Sequence, residues 1–198
     1  KQSGGHGQYG HVKMTFEPSG DMDTPYVFEQ TVVGGAVPKN FFPAVEKGIA
    51  ESVKKGPLAA YPVTGIKAVL YDGSYHPVDS SEMAFKVATQ QAFKKGIMEA
   101  KPVLLEPIAT LKVVVPEGYT GDVMGELNKR RARVMGMNPT DNGYQEIVAD
   151  IPYLELYGYN ATLRSMTSGS GTFSYEFARY EQAPDLSLIH ISEPTRPY

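Results

Sequence analysis

The chain has 198 residues, room for one or two domains, and its 19 Lys+Arg against 22 Asp+Glu leave a net charge of −3. That balance excludes a bulk polycation, so any nucleic-acid contact is local rather than a whole-protein field, while 41% hydrophobic and 21% charged residues are ordinary globular usage. The absence of Cys excludes a disulfide scaffold, a thiolate metal site and a Cys nucleophile, and no apolar run approaches the roughly 18 residues that span a bilayer.

In chain order, Lys1 lies inside a glycine-rich loop, which reads as a cut upstream of it, and no signal peptide is visible. Val12, Met14 and Phe16 alternate with Lys13, Thr15 and Glu17, the period of a half-buried strand. Residues 19–25 are a polar turn and 26–33 a second strand. Asn40 is placed to cap a helix with the stripe Val45, Ile49, Val53, stopped by Gly56 and Pro57. Residues 65–70 form a β-rich run. Asp79 with Glu82 resembles a capping box, and the helix after it, ending near Ala100, carries Ala84, Val87, Ala88 and Gln91 on one face.

Residues 102–107 (PVLLEP) are a proline-bounded connector expected to be packed, with domains at 1–106 and 107–184. Leu111, Val113 and Val115 alternate in a strand. Residues 120–131 read as a helix with Val123, Met124 and Leu127 facing in. Residues 133–137 and 144–151 read as a hairpin, with Pro139, Asp141, Asn142 and Gly143 supplying the turn. A second helix over 153–166 and a strand through Phe173, Tyr175 and Phe177 complete βαββαβ, the ferredoxin-like order. Two α+β domains result. The stretch 185–198 includes Leu186 to Arg196 (LSLIHISEPTR), which resembles a translated sequencing-library adapter and is expected to be a non-native tail.

Three stretches bear on chemistry. Gly5, Gly7 and Gly10 spell GxGxxG, but a dinucleotide loop needs a helix after it and here a strand follows. Either a flexible turn or a loop shaped to approach RNA backbone fits, with His6, Gln8 and Tyr9 as contacts. Residues 71–79 (YDGSYHPVD) bring Tyr71, Ser74, Tyr75 and His76 together; Tyr and His stack on unpaired bases. The plainer reading is a turn bent at Asp72-Gly73, with Asp79 or Ser80 capping the helix. Lys129, Arg130 and Arg131 form a basic cluster at a helix end, suited either to the macrodipole or to phosphate. His6, His11 and His76 have no metal-ligand spacing, and the chain has no GxxxxGK[ST] loop.

Six ordered blocks carry a resemblance: QSGGHGQYGHV (2–12), VGGAVPK (33–39), LYDGSYHPVDSSEMAF (70–85), PVLLEP (102–107), GDVMGELNKRR (121–131) and GYNATLRSMTSGSGTFSYEF (158–177). Together they are similar to the fourth and fifth domains of bacterial elongation factor G. The resemblance implies a domain of the ribosomal protein S5 domain 2 type, with a left-handed βαβ crossover, followed by a ferredoxin-like domain. It implies that the first domain is an arm whose tip contacts the decoding centre and the tRNA–mRNA through Ser3, Gly4, Gly5, His6, Gly7, Gln8, Tyr9 and Gly10 from one loop. Asp72, Gly73, Ser74, Tyr75 and His76 serve from the other, with His76 on the family's tip histidine. The fifth domain would lie near large-subunit RNA, implicating Lys129, Arg130 and Arg131. The implied partners are the ribosome (16S and 23S rRNA) and tRNA–mRNA, with no membrane or DNA partner, a monomeric state and a cytoplasmic location. No catalytic, cofactor or metal residue is expected in this fragment; GTP with Mg belongs to the GTPase domain of the parent protein. A paralogue dedicated to ribosome recycling or ribosomal protection is the alternative. His6 and Pro77 depart from the common family forms, Arg and Asp.

Overall fold

The computed structural model describes residues 7–184. Ser3, Gly4, Gly5, His6 and the stretch 185–198 lie outside the described residues. The chain divides into two compact units between Pro102 and Val103, earlier than the division expected at 106/107. Leu105 already opens a strand, and the Ala183 N–H donates to the Leu104 carbonyl at 2.9 Å.

The first unit contains β1 (His11–Pro18), β2 (Tyr26–Gln30), α1 (Phe42–Ser52), β3 (Ile66–Ser74) and α2 (Glu82–Glu99). The sheet order is β1-β3-β2. β3 is antiparallel to β1 and parallel to β2, and α1 lies in the connection between the parallel pair. The expected alternation is present: Val12, Met14 and Phe16 are half-buried and their neighbours exposed. α1 has Pro near its start, where a missing N–H costs nothing, and buries Ala44, Val45, Gly48 and Ile49. The core forms where the helices meet the sheet: Phe41 stacks on Phe85 at 4.5 Å, and Phe16 meets Phe93 edge-on at 5.7 Å.

Three local expectations are corrected. β3 does not stop at Leu70. It runs to Ser74, with Asp72 opposite Lys13 and Gly73 opposite Val12, so Asp72-Gly73 is strand and not a bend. A Cβ at Gly73 would lie 2.3 Å from the His11 carbonyl oxygen, so glycine there serves close approach of two backbones. The α2 cap is Ser81, whose Oγ accepts the Ala84 N–H at 3.1 Å, and not Asp79 or Ser80. The buried stripe of α2 is Ala84, Phe85, Thr89, Phe93 and Ile97; Val87 and Gln91 are exposed.

The second unit contains β4 (Leu105–Pro116), α3 (Thr120–Lys129), β5 (Arg133–Thr140), β6 (Tyr144–Pro152), α4 (Tyr159–Met166) and β7 (Thr172–Gln182). The antiparallel order β5-β6-β4-β7 is the ferredoxin-like arrangement, and both units are α+β. One core joins Leu111, Val113 and Val115 of β4 to Leu127, Ile147, Ile151, Tyr159 and Leu163. The β5–β6 turn uses Asn142 and Gly143 at φ 64° and 77°, the left-handed conformations these residues tolerate. The helix expected over 153–166 is broken: Tyr153–Leu156 is a 3-10 turn, and Gly158 at φ 72° separates it from α4.

Candidate nucleic-acid interface

The register of β1 on β3 sets the geometry. His11 opens β1 and pairs with Ser74, which closes β3. The chain entering β1 and the chain leaving β3 therefore emerge at the same sheet end. The first loop is described from Gly7 to Gly10; the second comprises residues 75–81. Of the sequence-predicted residues, the structure brings together Gly7, Gln8, Tyr9, Gly10, Ser74, Tyr75 and His76 at this end. Asp72 and Gly73 lie just behind, in β3.

Hydrogen bonds tie the loops together. The Tyr9 N–H donates to the Asp79 carbonyl at 2.8 Å and the Gly7 N–H to Asp79 Oδ1 at 2.8 Å. Ser80 Oγ donates to the Tyr9 carbonyl at 2.9 Å and accepts the His76 N–H at 2.9 Å. Ser74 Oγ lies 2.7 Å from Tyr9 Oη and 2.9 Å from His11 Nδ1. The Tyr9 and His76 rings are 6.5 Å apart, edge to face. Glycine permits this packing: a Cβ on Gly7 would sit 2.9 Å from Asp79 Cγ, and one on Gly10 2.7 Å from the Ala84 carbonyl oxygen.

Around this lattice Tyr9, Tyr75 and Val78 are exposed, and the His76 side chain is half exposed. The charge is balanced. Lys13 Nζ lies 2.8 Å from Asp72 Oδ2, and this hydrogen bond holds the Asp72 carboxyl below the usual range and raises the Lys13 ammonium. The surface offers rings, hydroxyls and the imidazoles of His11 and His76 rather than a cationic field. Asp79, Ser80 and His11 are the tip residues that sequence reasoning missed. Asp79 and Ser80 read as helix caps because they directly precede the helical run, with Glu82 three residues after Asp79. The signal available was a surplus: three candidate caps precede a helix that needs one.

In the second unit, Lys129, Arg130 and Arg131 take different roles. Arg130 Nε donates to Glu126 at 2.7 Å, Nη1 to the carbonyls of Glu155 at 2.5 Å and Tyr157 at 3.0 Å, and Nη2 to Thr162 Oγ1 at 3.1 Å. Its guanidinium also lies over the Tyr159 ring, 5.3 Å from the centroid. Four of its five N–H donors are thus engaged inside the unit. Arg131 forms a two-pronged pair with buried Glu106, which raises its pKa. Lys129 is exposed and enters none of the ion pairs found among the described residues. Those residues also contain no group of three or more His, Asp or Glu placed to hold a metal, and no helix of the structure is long and apolar enough to cross a membrane.

Two family models match the chain: "Elongation factor G, domain IV" over residues 1–101 and "Elongation factor G C-terminus" over residues 103–188. An "Elongation factor G-like protein" from Thermotoga maritima is 52% identical over 196 residues, which is 99% of this chain and 29% of that protein. A crystal structure of a Thermus thermophilus protein is 44% identical with a TM-score of 0.80, covering 96% of this chain and 28% of that one. The chain thus spans less than a third of each relative's length. It belongs to the elongation factor G family, of which it carries domain IV and the C-terminal domain.

Proposed function

We propose that this chain is the C-terminal part of a GTP-dependent ribosomal translocase, and that its first unit is an arm acting by position rather than by bond chemistry. The two loops at one end of the β1–β3 pair enter the decoding centre and lie against the tRNA–mRNA helix, blocking its return as the ribosome advances. The observation that carries this reading is the convergence of both loops on one hydrogen-bonded tip, at the residues where family motif and exposed rings coincide. Tyr9, Tyr75 and His76 supply stacking, worth about 1–3 kcal/mol per base, and Ser74 and Gln8 supply polar contacts. A neutral tip suits release, since each added phosphate contact steepens salt dependence and strengthens non-specific binding. Ser3, Gly4, Gly5 and His6 are further contacts to the decoding centre in this reading. GTP and Mg are bound by domains outside this chain. In the second unit the engagement of Arg130 and Arg131 leaves Lys129 as the cluster's contact to ribosomal RNA.

A photoreactive side chain in place of exposed Tyr75 of the full-length factor, bound to the ribosome, tests this. Adducts to small-subunit RNA and to the paired tRNA–mRNA are expected. Adducts confined to large-subunit RNA would contradict it.

A further inference from the structure

In the second unit, Tyr157 is 91% exposed and Leu154 is 69% exposed. Single apolar residues on a surface are ordinary, but here the backbone beneath them is locked. Arg130 Nη1 donates to the carbonyls of Glu155 and Tyr157, and the Tyr157 N–H donates to the Leu154 carbonyl at 3.3 Å. Gly158, at φ 72°, then turns the chain into α4. Tyr159 is the opposite case, 1% exposed with the Arg130 guanidinium over its ring. A ring as exposed as that of Tyr157 buries too little apolar surface to stabilise the unit, so core packing does not account for it.

The charge around this segment is sorted. Its carboxylates are engaged: Glu126 pairs with Arg130 Nε at 2.7 Å, and Glu155 Oε1 lies 3.9 Å from Arg131 Nη1. Two cations are not. Lys129 ends α3, directly before Arg130, and Arg164 lies on the exposed face of α4 with Asn160, Ala161 and Ser165. Neither Lys129 nor Arg164 enters an ion pair found among the described residues. The exposed ring thus has an uncompensated cation on each adjoining helix.

We propose that Tyr157 is a stacking platform for an unpaired RNA base, with Lys129 and Arg164 taking the phosphates beside it. This rests on the second-unit contact to ribosomal RNA read above and names its ligand class: a loop or bulge, not a duplex. An aromatic face with cations along the backbone is how single-stranded RNA is held. A duplex presents phosphates and 2′-hydroxyls across a groove, and a ring on a surface segment does not read them. An apolar protein surface could cover Leu154 and Tyr157, but the centres of such interfaces are poor in charge, and the two free cations favour RNA.

Two measurements on the full-length factor test this. In the first, a photoreactive phenylalanine analogue replaces Tyr157 and the factor is bound to the ribosome. Adducts mapped to unpaired nucleotides of ribosomal RNA are expected. Adducts confined to ribosomal protein, or to base-paired nucleotides, overturn the proposal.

The second is affinity for the ribosome. Tyr157→Phe should bind within about twofold of the parent and Tyr157→Leu about tenfold more weakly, the scale of one stacked base. Tyr157 is exposed, so the urea midpoint of Tyr157→Leu should match the parent's and the loss reads binding alone. Parental affinity in Tyr157→Leu overturns the platform. Lys129→Ala and Arg164→Ala should each lower the slope of log affinity against log salt by about one; an unchanged slope in both removes the phosphate contacts. If Tyr157→Leu is silent while Lys129→Ala still lowers the slope, stacking falls and the second-unit RNA contact stands. If neither moves, both fall.

Discussion

Arg130 shows how a basic motif divides on folding. Its side chain closes the end of α3 onto the segment before α4, with Glu126 one turn back and two carbonyls ahead. Arg130→Ala would strand the partly buried Glu126 and leave those carbonyls without donors, so it should destabilise the second unit by about 2–3 kcal/mol in urea unfolding. Arg130→Lys should recover little, because one ammonium cannot span four diverging acceptors. Lys129→Ala should leave the unfolding midpoint unchanged. Sequence alone could not separate the three, since they share a helix end and differ only in what surrounds it. Tyr159 is a second case. Burial pushes its phenol up to about 12, and its hydroxyl has no hydrogen-bond partner among the described residues. Folding favours the protonated phenol, so this contribution is complete below the unfolded value of about 10 and disappears as pH rises through about 12. Tyr159→Phe should be near neutral at pH 7 and should flatten the alkaline loss of stability above about pH 10, read as unfolding midpoints against pH.

At the scale of elements, legibility followed how unambiguous each local pattern was. The β1 alternation and the βαββαβ order of the second unit were readable, because strands with one buried face keep a period of two. The β5–β6 turn was readable from its Asn142-Gly143 pair. β3 was read short because Asp-Gly usually marks a bend, whereas here the glycine admits a neighbouring strand. Gly73→Ala should therefore destabilise the first unit, by roughly 1–3 kcal/mol as an overpacked contact, although a free turn would tolerate alanine. The α2 face was misread because the expected stripe of Ala84, Val87, Ala88 and Gln91 is rotated from the buried one, in which polar Thr89 interrupts the apolar series Phe85, Phe93 and Ile97. The Thr89 hydroxyl donates to the Phe85 carbonyl at 2.8 Å, satisfying the group and letting the side chain lie buried against Gly48 of α1. Ser81→Ala should cost about 1 kcal/mol as a lost N-cap, whereas Asp79→Ala should act on the tip more than on α2. The candidate site was half legible: motifs located both loops, but which cap-like residue is free to bind the other loop depends on the register of β1 against β3.

At the scale of the whole molecule, charge is spread rather than concentrated. Residues 1–106 carry 11 basic and 11 acidic side chains, and residues 107–184 carry 7 and 9. Such a chain gains little from long-range attraction to RNA, so in the proposed function the first unit contributes through shape at its tip. The most direct measurement is single-round translocation by the full-length factor carrying His76→Ala, with GTP hydrolysis followed in the same reaction. Translocation slowed about tenfold or more, with hydrolysis unchanged, is the predicted result. Translocation at the parent rate with normal hydrolysis would contradict it.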